Sequence, residues 1–185
     1  MRVVLALLFL VFFISPTSAQ YRPLRSFIPP GYRILGRASA DINGDGHIDQ
    51  VIVFKNPYEK IYWDTTRPLL VFAGNGKGGY RLLARNDSAV LCAGCGGVHG
   101  DPYQKVTAVP GWFSIKHFGG SGWRWTRVIT FAYDHRRKQL LLRSDGGWSW
   151  HVRNSKDRTR LANQQQDFGQ ERFDHFSFNR AFEGK

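Results

Sequence analysis

The chain has 185 residues, 42% of them hydrophobic, and 26 Lys and Arg against 14 Asp and Glu leave it a net charge of +12 at pH 7. That length suits one domain with a sizeable core, and so basic a chain is attracted to polyanions such as lipopolysaccharide, teichoic acid, acidic glycans or nucleic acid. The basic residues are scattered from Arg22 to Arg160, however, which excludes the dense block of a nucleic-acid-binding arm.

Met1 and Arg2 precede an unbroken apolar run from Val3 to Ile14, then Ser15-Pro16-Thr17-Ser18-Ala19. One charge, a core of about a dozen apolar residues and small residues at the end are the parts of a secretory signal peptide. The run is too short to span a bilayer, which takes roughly 20 apolar residues. Cleavage after Ala19 is expected, leaving residues 20–185 as one β-rich domain in the periplasm or outside the cell. No cysteine follows the small residues, so no lipid-modified terminus is indicated.

Asp41-Ile-Asn-Gly-Asp-Gly-His-Ile-Asp49 is the sharpest motif. Oxygen-bearing side chains fall at loop positions 1, 3, 5 and 9 (Asp41, Asn43, Asp45, Asp49), Gly46 stands at the sharp turn, and His47 offers its backbone carbonyl. Calcium takes six to eight hard oxygens, and this spacing wraps them around one point. The glutamate that closes an EF-hand at position 12 is here Ile52, inside an apolar run, so the loop leads into a strand rather than a helix. Without metal the same residues read as an Asx-rich turn. The stretch Asp41 to Phe54 resembles the calcium loops of FG-GAP (integrin α-like) and VCBS-type repeats. That resemblance implies Asp41, Asn43, Asp45, the His47 carbonyl and Asp49 as ligands of a structural calcium. A single loop does not imply a whole propeller.

Strands follow in turn. Gln50–Phe54 and Pro68–Phe72 are continuous apolar runs, expected to be buried on both faces. Gly74-Asn-Gly-Lys-Gly-Gly79 has no phosphate-loop spacing and reads as a hairpin leading to a strand at Tyr80–Arg85. Cys92-Ala-Gly-Cys95 is the whole cysteine inventory. In an exported chain it reads first as a disulfide. A redox pair or a metal site with His99 or Asp101 stands beside that reading, although a redox pair normally opens a helix and Gly96 to Pro102 reads as loop. Further strands are expected at Lys105–Val109, Gly111–Phe118, Trp123–Tyr133, Gln139–Arg143, Trp148–Val152 and Arg172–Phe178. Turns are expected at Pro110-Gly111, Gly119–Gly122 and Asp145-Gly-Gly147. Lys156–Gln166 alone has a helical look, and it could equally be an exposed loop.

Between Trp123 and Tyr133 the residues Trp123, Trp125, Ile129, Phe131 and Tyr133 share one face at period two, with Arg127 on the same side. The pattern reads as core; the alternative is a stacking platform for sugar rings or bases built on Trp123, Trp125 and Arg127. Catalytic signatures are weak: the six histidines form no H-E-x-x-H and there is no G-x-S-x-G. Ser121 near His117 reads mainly as a hairpin turn. The chain resembles secreted bacterial proteins that carry one such calcium loop followed by C-x-x-C-G-G…G-D-P and H-x-G-G-S-x-W-R-W, here Cys92–Pro102 and His117–Trp125. This resemblance implies no activity. The expectation is therefore a mostly β, single-domain antiparallel meander or sandwich-like sheet with an EF-hand-like loop between strands. Its expected role is an exported, calcium-stabilised, non-enzymatic binding or envelope-associated protein for an anionic glycan or envelope polymer. The alternative is an envelope-directed hydrolase using His117 and Ser121, or His99 and Asp101.

Overall fold

The computed structural model describes residues 20–59, 66–164 and 170–178; the expected signal sequence, 1–19, lies outside them. The chain is mostly β, with short 3-10 turns and no α-helix among the described residues. One antiparallel sheet holds β1 (Arg22–Pro23), β2 (Arg33–Ala40), β3 (Asp49–Lys55), β4 (Leu69–Gly74) and β5 (Gly79–Asn86), in the order β1-β5-β4-β3-β2. The other is a plain meander of β6 (Tyr103–Val109), β7 (Trp112–Gly120), β8 (Trp123–Asp134), β9 (Gln139–His151) and β10 (Asn154–Gln164).

The first sheet is covered on both faces, which is why β3 and β4 read as continuous apolar runs. Val51, Val53, Leu69 and Val71 pack into one core with Phe113, Ile115, Ile129, Phe131, Leu140 and Leu142 of the second sheet. Ile52, Phe54, Leu70 and Phe72 face the other way, under Leu24, Phe27 and Tyr32 of the N-terminal segment. Each such buried side chain contributes roughly 1.5–3 kcal/mol. The second sheet alternates instead: along β7, Phe113, Ile115 and His117 are buried while Ser114, Lys116 and Phe118 turn outward.

Three expectations are corrected. The segment Lys156–Gln166 is not helical: through Gln164 it belongs to β10, because backbone pairing with Ser144–His151 of β9 overrides a polar, helix-tolerant composition; residues 165–166 lie outside the described ones. Asp145-Gly-Gly147 is no turn, and β9 runs unbroken from Gln139 to His151. Gly147 is there for close approach: a Cβ on it would collide with the Thr126 carbonyl oxygen of β8. Lastly, Arg172–Phe178 makes a 3-10 turn at Phe173–His175 and one isolated bridge, Arg172 to Leu141, rather than a strand. Phe173 and Phe176 both pack on Phe131, with centroids 5.0 and 5.2 Å away. Residues three apart on a strand point to opposite faces, so only a turn delivers both rings. Asn86 holds that turn. Its side-chain amide donates to the carbonyls of Phe173 and Phe176, and its Oδ1 accepts the N–H groups of Ser88 and Ala89 at 2.6 Å each.

Candidate functional site

The loop between β2 and β3 is curled by its own side chains. Gly44 (φ +71°) and Gly46 (φ +83°) take left-handed conformations, turning the N–H groups of residues 44–46 onto the Asp41 carboxylate at 2.8–3.1 Å. Asn43 Oδ1 accepts from Asp45 N–H, and Asp45 Oδ1 from His47 N–H. Asp49 plays a different part. It is fully buried, its Oδ2 accepts the N–H groups of Ile42 and Asn43, and its Oδ1 accepts that of Gly74 at 3.0 Å. It thus staples the loop to the β4–β5 hairpin. Burial pushes its pKa up, against the pull of those three N–H groups, and the Asp45 charge adds to the rise.

The donor chemistry of Asp41, Asn43, Asp45 and the His47 carbonyl fits a hard cation such as calcium. Asp49, with both oxygens engaged inside the fold, fits as a support for the loop better than as a direct ligand. Among the described residues no group of three or more His, Cys, Asp or Glu side chains converges as a metal site.

Cys92 and Cys95 are joined in a disulfide, with Cα atoms 5.2 Å apart. The loop after them folds onto the β7–β8 hairpin. Gly96 N–H donates to Gly100 O at 2.7 Å, and Gly120 N–H donates to Gly96 O at 2.9 Å. Backbones approach this closely because Gly96 and Gly119 lack side chains; a Cβ on Gly119 would lie 3.0 Å from the Gly96 Cα. The short 3-10 turn Gly97–His99 then sets the His99 ring on Phe118, centroids 4.8 Å apart.

Next to this loop lies a buried charged layer. Arg67, with no exposed surface, is forked by Glu59 (2.6 and 3.0 Å) on one edge and by Asp101 (both 2.7 Å) on the other, and it also donates to Leu91 O at 3.1 Å. Arg127 makes two hydrogen bonds to Asp145 along its Nε–Nη2 edge, donates from Nη1 to Phe178 O at 2.9 Å and lies 3.9 Å over the Phe178 ring. Between these guanidinium groups sits His117, fully buried, with Tyr103 and Phe178 edge-on to its ring. Burial, then the charges of Arg127 and Arg67, push its pKa down to about 3. Its Nε2 accepts the Leu91 N–H at 3.4 Å, which puts the proton of the neutral ring on Nδ1. Burial pushes the neighbouring Tyr103 up to about 12. A sealed, neutral His117 is a packing element.

Neither catalytic pairing is assembled. Ser121 stands in the exposed hairpin turn, four residues beyond His117 along an extended chain and so on the order of 13 Å away. His99 stacks outward on Phe118 while the Asp101 carboxylate is taken by Arg67. The expected aromatic face is also divided. Trp123 is 61% exposed, whereas Trp125 is half-buried near Phe178 and Arg127 is buried in its ion pair.

A different set of side chains shares a surface. On the outer face of the second sheet, three successive rungs carry Arg124, Trp150 and Arg158; then Phe118, Thr126, Trp148 and Arg160; then Lys105, Lys116 and Val128. Five cations and three aromatic rings thus stand on neighbouring positions, and no carboxylate stands on these rungs. Trp148 is 44% exposed, and Lys105, Lys116, Arg158 and Arg160 are exposed. The sequence reading missed this face by splitting β9 at Asp145-Gly-Gly147. With β9 continuous, even-numbered β8 residues register against Trp148 and Trp150, and the alternation of β8 alone then places Arg124 beside them. Compared with protein-family models, curated proteins and solved structures, the chain matches none.

Proposed function

We propose that this is an exported, calcium-stabilised binding protein that takes an anionic partner on the outer face of its second sheet. The observation that carries the reading is the absence of any carboxylate from three rungs that hold five cations and three aromatic rings. Cations lying beside aromatic faces bind anions while the rings contribute stacking area. The calcium loop supports the scaffold, since it stands between strands of the first sheet. The N-terminal apolar run and the disulfide favour an oxidising compartment outside the cytosol.

Calorimetric titration with heparin, as a general polyanion, tests the reading. Binding weakens steeply as salt rises, because exposed charges are screened beyond about 8–10 Å at 0.1–0.15 M. Arg124→Ala and Arg160→Ala each lower affinity about three- to tenfold with the thermal midpoint unchanged. Binding indifferent to salt and to both changes would remove the face from consideration.

A further inference from the structure

We infer that the anionic partner is an acidic glycan lying across the strands, along a line from His99 over Phe118 and Trp150 to Arg158, so that the disulfide loop forms one end of the site. This rests on the outer face being the binding surface. The four side chains come from four separate elements: the Gly97–His99 turn, β7, β9 and β10. The His99 and Phe118 centroids are 4.8 Å apart, Phe118 and Trp150 are stacked at 6.2 Å with planes 25° apart, and the Arg158 guanidinium lies 5.2 Å from the Trp150 centroid. From β7 to β10 is three strand spacings, about 14 Å. A chain on this line meets aromatic rings first and a guanidinium last.

Arg124 of β8 lies beneath the same line, opposite Trp150 in the register. Its Nη1 is shut off from solvent and donates to nothing among the described residues. With that atom closed to solvent, Arg124 acts on a ligand through its positive charge rather than by a hydrogen bond from Nη1. Phe118 and Trp150 are half-buried, packed against each other and against His99 and Arg158. Rings packed in this way are held for stacking rather than free to insert into a lipid layer. Pyranose rings bearing carboxylate or sulfate groups present both an apolar face and a regular negative charge. Single-stranded nucleic acid shares that chemistry, but a disulfide beside the site belongs to an oxidising compartment, where glycans are the polyanions within reach.

The test is calorimetric titration of the whole protein with oligogalacturonates of increasing length. Oligothymidylate of matched charge, a neutral cello-oligosaccharide and anionic phospholipid vesicles serve as comparisons. Oligogalacturonate affinity rises with length until the line is spanned and then levels off. The neutral sugar and the vesicles bind at least tenfold more weakly. His99→Ala, at an exposed position, lowers oligogalacturonate affinity about fivefold and leaves the thermal midpoint unchanged, and Trp150→Ala lowers it further. Reducing the disulfide weakens the unaltered protein about as much as His99→Ala does and adds nothing to that variant. If His99→Ala and Trp150→Ala bind as the unaltered protein does, the line is wrong while the face stands. If reduction weakens both proteins equally, the disulfide loop does not act through His99. Oligothymidylate or vesicles binding as tightly as the oligogalacturonates overturn the glycan. No binding of any polyanion at low salt overturns the face itself.

Discussion

The Arg127 guanidinium on β8 is clamped along its Nε–Nη2 edge by both oxygens of the Asp145 carboxylate of β9, two residues along the strand from the register partner Gly147, and neither side chain is more than 4% exposed. Removing one member of such a buried pair leaves an uncompensated charge. Arg127→Ala is expected to destabilise the fold by about 3–5 kcal/mol. The double replacement Arg127→Met with Asp145→Leu costs clearly less than either single change. Urea unfolding of the three variants checks this, and additive losses would show that the two charges do not act as a pair.

Acid should expose the second consequence of this layer. Folded His117 takes up a proton only near pH 3, whereas an unfolded histidine does so near 6.5. Between those values the unfolded chain holds the extra proton. The contribution is therefore complete above pH 6.5 and is lost as pH falls towards 3, at up to about 1.4 kcal/mol per pH unit. His117→Phe is expected to flatten the stability profile between about pH 6.5 and 5, above the range where ordinary carboxylates titrate. An unchanged slope in that window would mean that His117 is not buried neutral.

Calcium is expected to raise the thermal midpoint and EDTA to lower it. An ion bound only by the folded chain contributes about 1.4–2.7 kcal/mol at ten to a hundred times its dissociation constant. Asp45→Ala removes that response, since Asp45 is exposed on the loop and holds it through His47 N–H and the Asn43 amide. A midpoint that ignores calcium in the unaltered protein would leave the loop as a hydrogen-bonded turn.

Asn86→Ala is expected to cost about 2–4 kcal/mol without changing the denaturant slope. It strips partners from two carbonyls and two N–H groups at a site 4% exposed. A loss below about 1 kcal/mol would mean that the C-terminal turn is held by its phenylalanines alone.

Much of this was legible because burial writes itself into strand patterns. Val51 to Phe54 and Leu69 to Phe72 read as apolar throughout because two different partners cover their two faces. The Gly74–Gly79, Pro110-Gly111 and Gly119–Gly122 hairpins were marked by turn chemistry. The disulfide followed from two cysteines three apart in a chain read as exported. What escaped depends on neighbours. Gly147 looks like a turn residue until the Thr126 carbonyl is seen against it. Arg127 looks like a surface cation until Asp145, on another strand, neutralises it. The outer face depends on the registers of five strands at once, and no local pattern carries that information.

The segment over the outer face of the first sheet has a consequence in time. Arg22 pairs with Tyr80, 58 residues further on, so this contact closes the longest loop of any strand pairing among the described residues and its entropy is lost late in sheet formation. Until Leu24 and Phe27 arrive, Ile52, Phe54, Leu70 and Phe72 lie bare on one side of a sheet that is otherwise complete. The first residues after the expected cleavage point therefore act as a latch. Until that latch closes, the greasy flank is offered to chaperones or to other unfinished copies.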